Sequence, residues 1–378
     1  MKTNPFVFGT VVSDENFAGR ENEINELTRD LAGKTSLIIF SPRRYGKTSL
    51  MFKVMDELRK QDIVCVYVDL YPAVTKEKFA NILASSIAQA KSGKLDDIVQ
   101  IIKELIPPIK LTVRPEEVDV GIELELSKGK EDIDANLTKL YDLPERVAKK
   151  MKKKLVVVFD EFQEITKLDG QEIETNIRSK LQQHKNVSYV FMGSQRHLLN
   201  QMFNDKNRPL YRAGKPFNLS RLSEDEFSQF IKERFKADGI NASKEVISQI
   251  LALTQCHPYY TQQLCHEIWN QCISQEKKNV EESDIEQAKE QVLKNQNYAY
   301  TSMWDSTKGK QRALLHAMAI SDEKNIFSTD FREKYRLGAS STVARAVEYL
   351  EKKGLIEKDS SDYVISDAFF QEWIKRIS

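Results

Sequence analysis

Three short stretches carry side chains suited to phosphate and metal chemistry. They are Ser41-Pro42-Arg43-Arg44-Tyr45-Gly46-Lys47-Thr48-Ser49, Asp160-Glu161 and Gly193-Ser194. The first has the Gly-Lys-Thr ending of a loop whose backbone N–H groups wrap a chain of phosphates. In that role Lys47 reaches the β- and γ-phosphates and the Thr48 hydroxyl sits on Mg²⁺. The pattern's usual first glycine is replaced by Ser41. Asp160 can hold the shell of a metal ion, and Glu161 can orient or polarise an attacking water. Ser194, at the end of another apolar run, can sense a terminal phosphate, although Gly-Ser is also an ordinary turn.

These side chains work only if particular elements carry them. Ser36-Leu37-Ile38-Ile39-Phe40 reads as a strand running into the loop, and Leu50, Met51, Val54, Met55 and Leu58 repeat at helical spacing behind it. That places Lys47 and Thr48 at a helix start, where the dipole favours anions. Leu155–Phe159 is a buried-type strand leading to the acid pair, and Val187–Met192 leads to Gly193-Ser194. Further strands are expected over residues 62–70 and 215–219. Helices alternate with the strands, so the expectation is an α/β core with a five-stranded parallel sheet. Ligands of such sheets bind at the strands' carboxyl ends.

Arginine can stabilise the charge that develops in phosphoryl transfer. Arg43, Arg44, Arg196, Arg208 and Arg212 lie near that edge in the chain, and Arg212 is the candidate finger. The Lys149–Lys154 run reads as a solvated helix end. Leu111–Val113 and Val118–Leu126 alternate apolar and polar, predicting a β-hairpin inserted over residues 107–126.

The chain has 378 residues, room for two or three domains. Hydrophobic residues make up 40% and charged residues 30%, a globular composition, and the net charge of +1 leaves nucleic-acid binding to local patches. Cys65, Cys256, Cys265 and Cys272 show no metal spacing and read as reduced core thiols. No run of about 18 apolar residues appears, so the expectation is a cytoplasmic protein with no membrane partner.

After residue 220 the pattern is helical. Ser223–Glu226 and Ser283–Glu286 read as helix caps. His257-Pro258 opens another helix and could place donors at an exposed helix start. From about 308, three helices and two short strands around 359–362 predict a winged helix-turn-helix. The expected domains are therefore a phosphate-loop core over 1–220, a helical lid over 221–299 and a winged helix over 300–378.

Phe17-Ala18-Gly19-Arg20-Glu21, the loop at 41–50, Asp160-Glu161-Phe162-Gln163-Glu164-Ile165 and Cys256-His257-Pro258-Tyr259-Tyr260 together resemble the archaeal-type ATPases. These are a prokaryotic branch of the AAA+/STAND P-loop NTPases. The resemblance spans about residues 10–300. It implies a P-loop NTPase (AAA+-like) fold with ATP and Mg²⁺ as ligands. It places Phe17, Gly19 and Arg20 by the adenine and makes Asp160 and Glu161 the Walker B pair. It makes Ser194 the first sensor, with His257 and Pro258 as the lid motif. Relatives often carry Gly-Gly where Gln255-Cys256 stands.

The function these residues imply is an ATP-binding, slowly hydrolysing switch that couples nucleotide state to a protein partner, with an oligomer forming on nucleotide. The alternative is a nucleotide-bound DNA-binding regulator. The third helix of the winged unit is expected to bury Val343, Val347 and Leu350 and to expose Ser341, Thr342, Arg345 and Tyr349. Residues 308–378 hold 13 Lys/Arg against 11 Asp/Glu, a net of +2 that gives DNA little phosphate neutralisation.

Overall fold

The computed structural model describes residues 2–12, 16–89, 100–104, 110–115, 120–125, 130–359 and 362–377. The chain forms two compact units, one of residues 20–220 and one of residues 1–19 with 221–378.

The first unit is built on strands β1 (Leu37–Phe40), β2 (Val64–Asp69), β5 (Leu155–Asp160), β6 (Val187–Gly193) and β7 (Lys215–Asn218). They form one sheet in the order β2-β5-β6-β1-β7. Every pairing in it is parallel. Strands β1, β5 and β6 are buried along their whole length, which is why they read as unbroken apolar runs. Strand β6 lies between the loop strand β1 and the acid strand β5, with Phe191 paired to Ile38 on one side and Phe159 on the other. Two interstrand steps of roughly 4.8 Å separate loop strand from acid strand, a gap wide enough for phosphate.

Helices α1 (Glu21–Ala32), α2 (Lys47–Lys60) and α3 (Lys76–Ala88) cover the sheet, and two more helices, Lys130–Leu140 and Leu143–Met151, precede β5. The inserted hairpin is β3 (Lys110–Pro115) against β4 (Val120–Glu125), antiparallel with Val113 opposite Ile122. Residues 107–109, 116–119 and 126 of the expected insertion lie outside the described residues. The lysine run is capped and paired: Lys149 with Glu145, Lys153 with Asp62 and Lys154 onto the Ala32 carbonyl.

The second unit has a single hydrophobic core running from Phe6 to Ile374. Phe6 is 1% exposed and packs against Phe230 and Phe235, which draws the first 19 residues away from the 1–220 core expected for them. The expected boundary at 299/300 falls inside one continuous helix, Glu282–Asp305. That helix is capped by Glu281 and Asp284, two residues earlier than the Ser283 start. Its Tyr300 is 2% exposed against Phe370 and Trp373 of a last helix, Ala368–Arg376, that sequence reasoning missed. Lid and winged helix are thus one packed body. Helices Lys310–Ile320, Thr329–Lys334 and Ser340–Lys352 precede strands β8 (Ile356–Asp359) and β9 (Asp362–Ile365). Residues 360 and 361 of the turn lie outside the described residues.

Candidate functional site

At the carboxyl edge of the sheet, backbone register brings the acids together. Asp69 ends β2 opposite Asp160 at the end of β5, and Gly193 ends β6 opposite Phe40 of β1. The loop that follows Phe40 turns through Arg44 (φ 66°) and Gly46 (φ 78°) into α2. Nothing crowds the space where a Gly46 side chain would be, so the glycine is required by its left-handed backbone. Ser41 is fully buried, and its hydroxyl donates to the Pro42 carbonyl. Tyr45 and Ser49 are buried, whereas Arg43 and Arg44 are exposed.

Asp160 is the hub of the edge. Its Oδ2 accepts from Thr48 Oγ1 at 2.9 Å and from the Tyr67 hydroxyl at 2.7 Å. Its Oδ1 accepts from the Glu161 amide at 2.8 Å and lies 3.1 Å from Lys47 Nζ. Lys47 is 8% exposed and also stands 3.8 Å from Glu161 Oε1. A buried ammonium beside two carboxylates offsets one of their two charges where solvent screening is weak. Glu161 is held in a left-handed conformation (φ 50°). Its Oε2 accepts from the Ser194 amide at 3.2 Å and the Ser194 hydroxyl at 2.8 Å. Gln163 donates to the same oxygen.

Burial pushes the Tyr67 phenol well above its ordinary range, and the Asp160 charge adds to the effect. Burial also raises the Asp69 carboxyl, a shift its hydrogen bond from the Tyr71 amide opposes. Tyr67 and Gln163 are site residues that sequence reasoning passed over. Tyr67 is the polar-tipped residue within the apolar β2 run, the signal available for it.

Thr48 Oγ1 and Asp160 Oδ2 make a pair of hard oxygen donors that suits Mg²⁺, an ion that takes one or two protein ligands and completes its shell with phosphate and water. Among the described residues no group of three or more His, Cys, Asp or Glu could hold a metal alone. The residues present therefore fit an ion that arrives with phosphate.

Arg20, placed by the resemblance beside adenine, is 2% exposed in the first unit. Its guanidinium donates to the Tyr45 carbonyl at 3.3 Å and the Ser220 carbonyl at 2.9 Å, and it pairs with Glu23. The phosphate loop is thereby tied to both ends of this unit. Arg208 is committed to the fully buried Glu174, which it grips with two donors. Arg212 is exposed, with its guanidinium over the Tyr211 ring.

Other expected site residues lie in the second unit. Phe17 is half-buried, and Gly19 (φ 56°) has Glu226 and Leu222 where a side chain would be. The His257 helix start is not exposed as anticipated. His257 is 3% exposed and caps the helix Pro258–Ser274, its Nδ1 accepting from the Tyr259 amide, with its ring against Tyr260. Pro258 takes the first helical position, where its fixed φ suits the start. Gln255 and Cys256 before it both have positive φ (52° and 54°), the conformation that Gly-Gly would take without strain. Arg221 compensates by donating to both the carbonyl and the side chain of Gln255. On the third helix of the winged unit, Ser341 and Arg345 are exposed, but Tyr349 is partly buried and bonds the Ser306 carbonyl.

Comparison with known proteins follows this geometry. A family model described as an ATPase domain predominantly from Archaea matches residues 17–264, and one described as a probable winged helix domain matches 298–376. An uncharacterised ATP-binding protein of Methanocaldococcus jannaschii is 38% identical over 71 residues, 18% of this chain and 20% of that protein's length. Among solved structures, a Walker-type ATPase of Pyrococcus abyssi superposes with a TM-score of 0.64 at 16% identity, covering 98% of this chain and 99% of that one. Cdc6p of Pyrobaculum aerophilum does so with a TM-score of 0.51 at 15% identity, covering 100% and 99%. These two likenesses concern the fold. No helix among the described residues is long and apolar enough to cross a membrane.

Proposed function

Because the chain belongs to the ATP-binding family of ATPase domains found predominantly in Archaea, we propose that it hydrolyses Mg-ATP slowly as a molecular switch of the AAA+/STAND type. The observation that carries this reading is the division of labour on Glu161. Its Oε2 is fixed by Ser194 and Gln163, while its Oε1 is turned toward Lys47. A carboxylate so held can take a proton from a water aimed at the terminal phosphate. Lys47 would bind the β- and γ-phosphates, and Thr48 and Asp160 would hold the ion, which supplies charge neutralisation when bound. The loop amides of residues 41–49 would cradle the phosphates. His257 and Pro258 would act from within the second unit by fixing the helix start, and Phe17 and Gly19 by shaping the segment before Arg20.

The partner surface belongs to the second unit. Its single core makes lid and winged helix respond together, so the nucleotide state would be read by one body. We favour a protein over DNA as the partner. In the winged region Arg332 and Lys310 donate to backbone carbonyls, and Lys375 and Arg376 pair with Glu372 and Glu290. Those cations are committed within the fold and contribute little to phosphate neutralisation. The winged helix match keeps a DNA reader as the second reading. Salt-dependent binding of the full chain to duplex DNA would establish it. Sedimentation with a non-hydrolysable ATP analogue tests for a nucleotide-dependent oligomer, in which Arg212 would serve the neighbouring copy.

The direct test is Glu161→Gln. It should bind Mg-ATP with affinity within about threefold of wild type and release phosphate at least 100-fold more slowly, since a positioned base contributes about that much. Unchanged turnover in this variant overturns the assignment of the base.

A further inference from the structure

Gln163 is 1% exposed, in the short 3₁₀ turn Phe162–Lys167 that follows the acid pair. Its Nε2 donates to Glu161 Oε2. Its Oε1 is buried with no hydrogen-bond partner. The orientation is dictated by chemistry: the amide's donor end must face the carboxylate, so its oxygen is turned away. That oxygen points at Gly193, where an added Cβ would stand 1.9 Å from it and 3.0 Å from the carboxamide carbon. Gly193 has no unusual backbone angle to justify glycine. The space itself is what the glycine provides. A buried acceptor left unpaired costs free energy, and such a cost persists where another gain offsets it.

We propose that Gln163 is a positioning residue for hydrolysis. It presses the Glu161 carboxylate against Ser194 so that Oε1 alone faces the phosphate side, and Gly193 is glycine to admit its amide. The inference rests on the hydrolytic reading above and extends it to two residues. Two features support it besides the hydrogen bond. Glu161 sits in a left-handed backbone conformation that needs outside support. The Ser194 amide and hydroxyl hold the same oxygen from the carboxyl end of the neighbouring strand β6, so Gln163 completes a three-donor clamp.

The test uses the full chain with Mg-ATP and reads phosphate release, affinity for a non-hydrolysable analogue, and the thermal unfolding midpoint. Q163M keeps volume and removes the donor. G193A leaves both partners intact and pushes the amide aside. Each should lower kcat about tenfold or more while KM and analogue affinity stay within about twofold, because misplacement of a catalytic group acts on the transition state. G193A should lower the unfolding midpoint in the wild-type background but not beside Q163A, where the methyl fills vacated space. Equally, G193A should add no further loss of kcat to Q163A. Unchanged or raised kcat in Q163M, or a loss expressed mainly as weaker analogue binding, overturns the proposal. Wild-type turnover that Glu161→Gln abolishes but Q163M leaves intact sinks this inference alone. A wild-type chain with no turnover sinks the hydrolytic reading itself.

Discussion

Lys47 Nζ lies 3.1 Å from Asp160 Oδ1, and both side chains are more than nine-tenths buried. The loop's ammonium and the sheet's carboxylate thus form a buried ion pair at the heart of the site.

Lys47→Ala should therefore do two things at once. Nucleotide affinity should fall about 100-fold or more, the scale seen when one member of a buried charged pair is removed. The ligand-free chain should also lose about 1–3 kcal/mol, because Asp160 keeps its other donors but loses its counter-charge. Denaturant unfolding without nucleotide reads the second effect. Lys47→Ala combined with Asp160→Asn should recover most of it.

Tyr67 offers a pH signature. Its phenol is kept neutral in the fold by burial and by Asp160, so its folded pKa lies above the unfolded value of about 10. An acid whose pKa rises on folding binds more protons folded than unfolded, so stability falls as pH climbs past the unfolded pKa. The wild type should lose stability more steeply than Tyr67→Phe above about pH 10, by up to about 1.4 kcal/mol per pH unit. At neutral pH the variant should be weaker by about 1 kcal/mol for the missing hydrogen bond. Equal slopes for the two chains between pH 9 and 11 would refute the assignment.

Arg208 is placed as a structural partner of Glu174 and not as a finger. Arg208→Ala should destabilise the fold by about 3–5 kcal/mol at pH 7, since it strands a buried carboxylate. Burial already raises the Glu174 carboxyl despite the arginine. Removing Arg208 raises it further, so the loss should shrink as pH falls toward about 4.5 and Glu174 protonates in the folded state of both chains. Adding Glu174→Gln should restore stability. Turnover of the folded variant should stay within a few-fold, whereas a finger is worth about 10³–10⁵.

The legible parts of this chain were those written locally. Loop, acid pair and the alternation of strands with helices depend on neighbours a few residues apart, and each left a pattern. Strand order left none. The insertion of β6 between β1 and β5 is decided by pairings across the sheet, and a run such as Val187–Met192 reads the same in any central position. The structural role of Arg20 left no local mark, because its partners, Tyr45 and Ser220, are 25 and 200 residues away. Tyr67 was hidden in an apolar run, 93 residues from the carboxylate it serves. Phe6 read as the start of the nearest domain, whereas apolar burial against Phe230 and Phe235 assigned it to the far one. The boundary expected at 299/300 falls in mid-helix, where Tyr300 is buried by a helix that arrives 68 residues later.

That last helix gives the continuous Glu282–Asp305 segment a mechanical meaning. Its 24 residues make a rod about 36 Å long, buttressed by Phe370 and Trp373 at the end that leads into the wing. The helix crosses from lid to wing without a break and is held by packing at its far end, so the two are joined by a stiff element and not by a flexible linker.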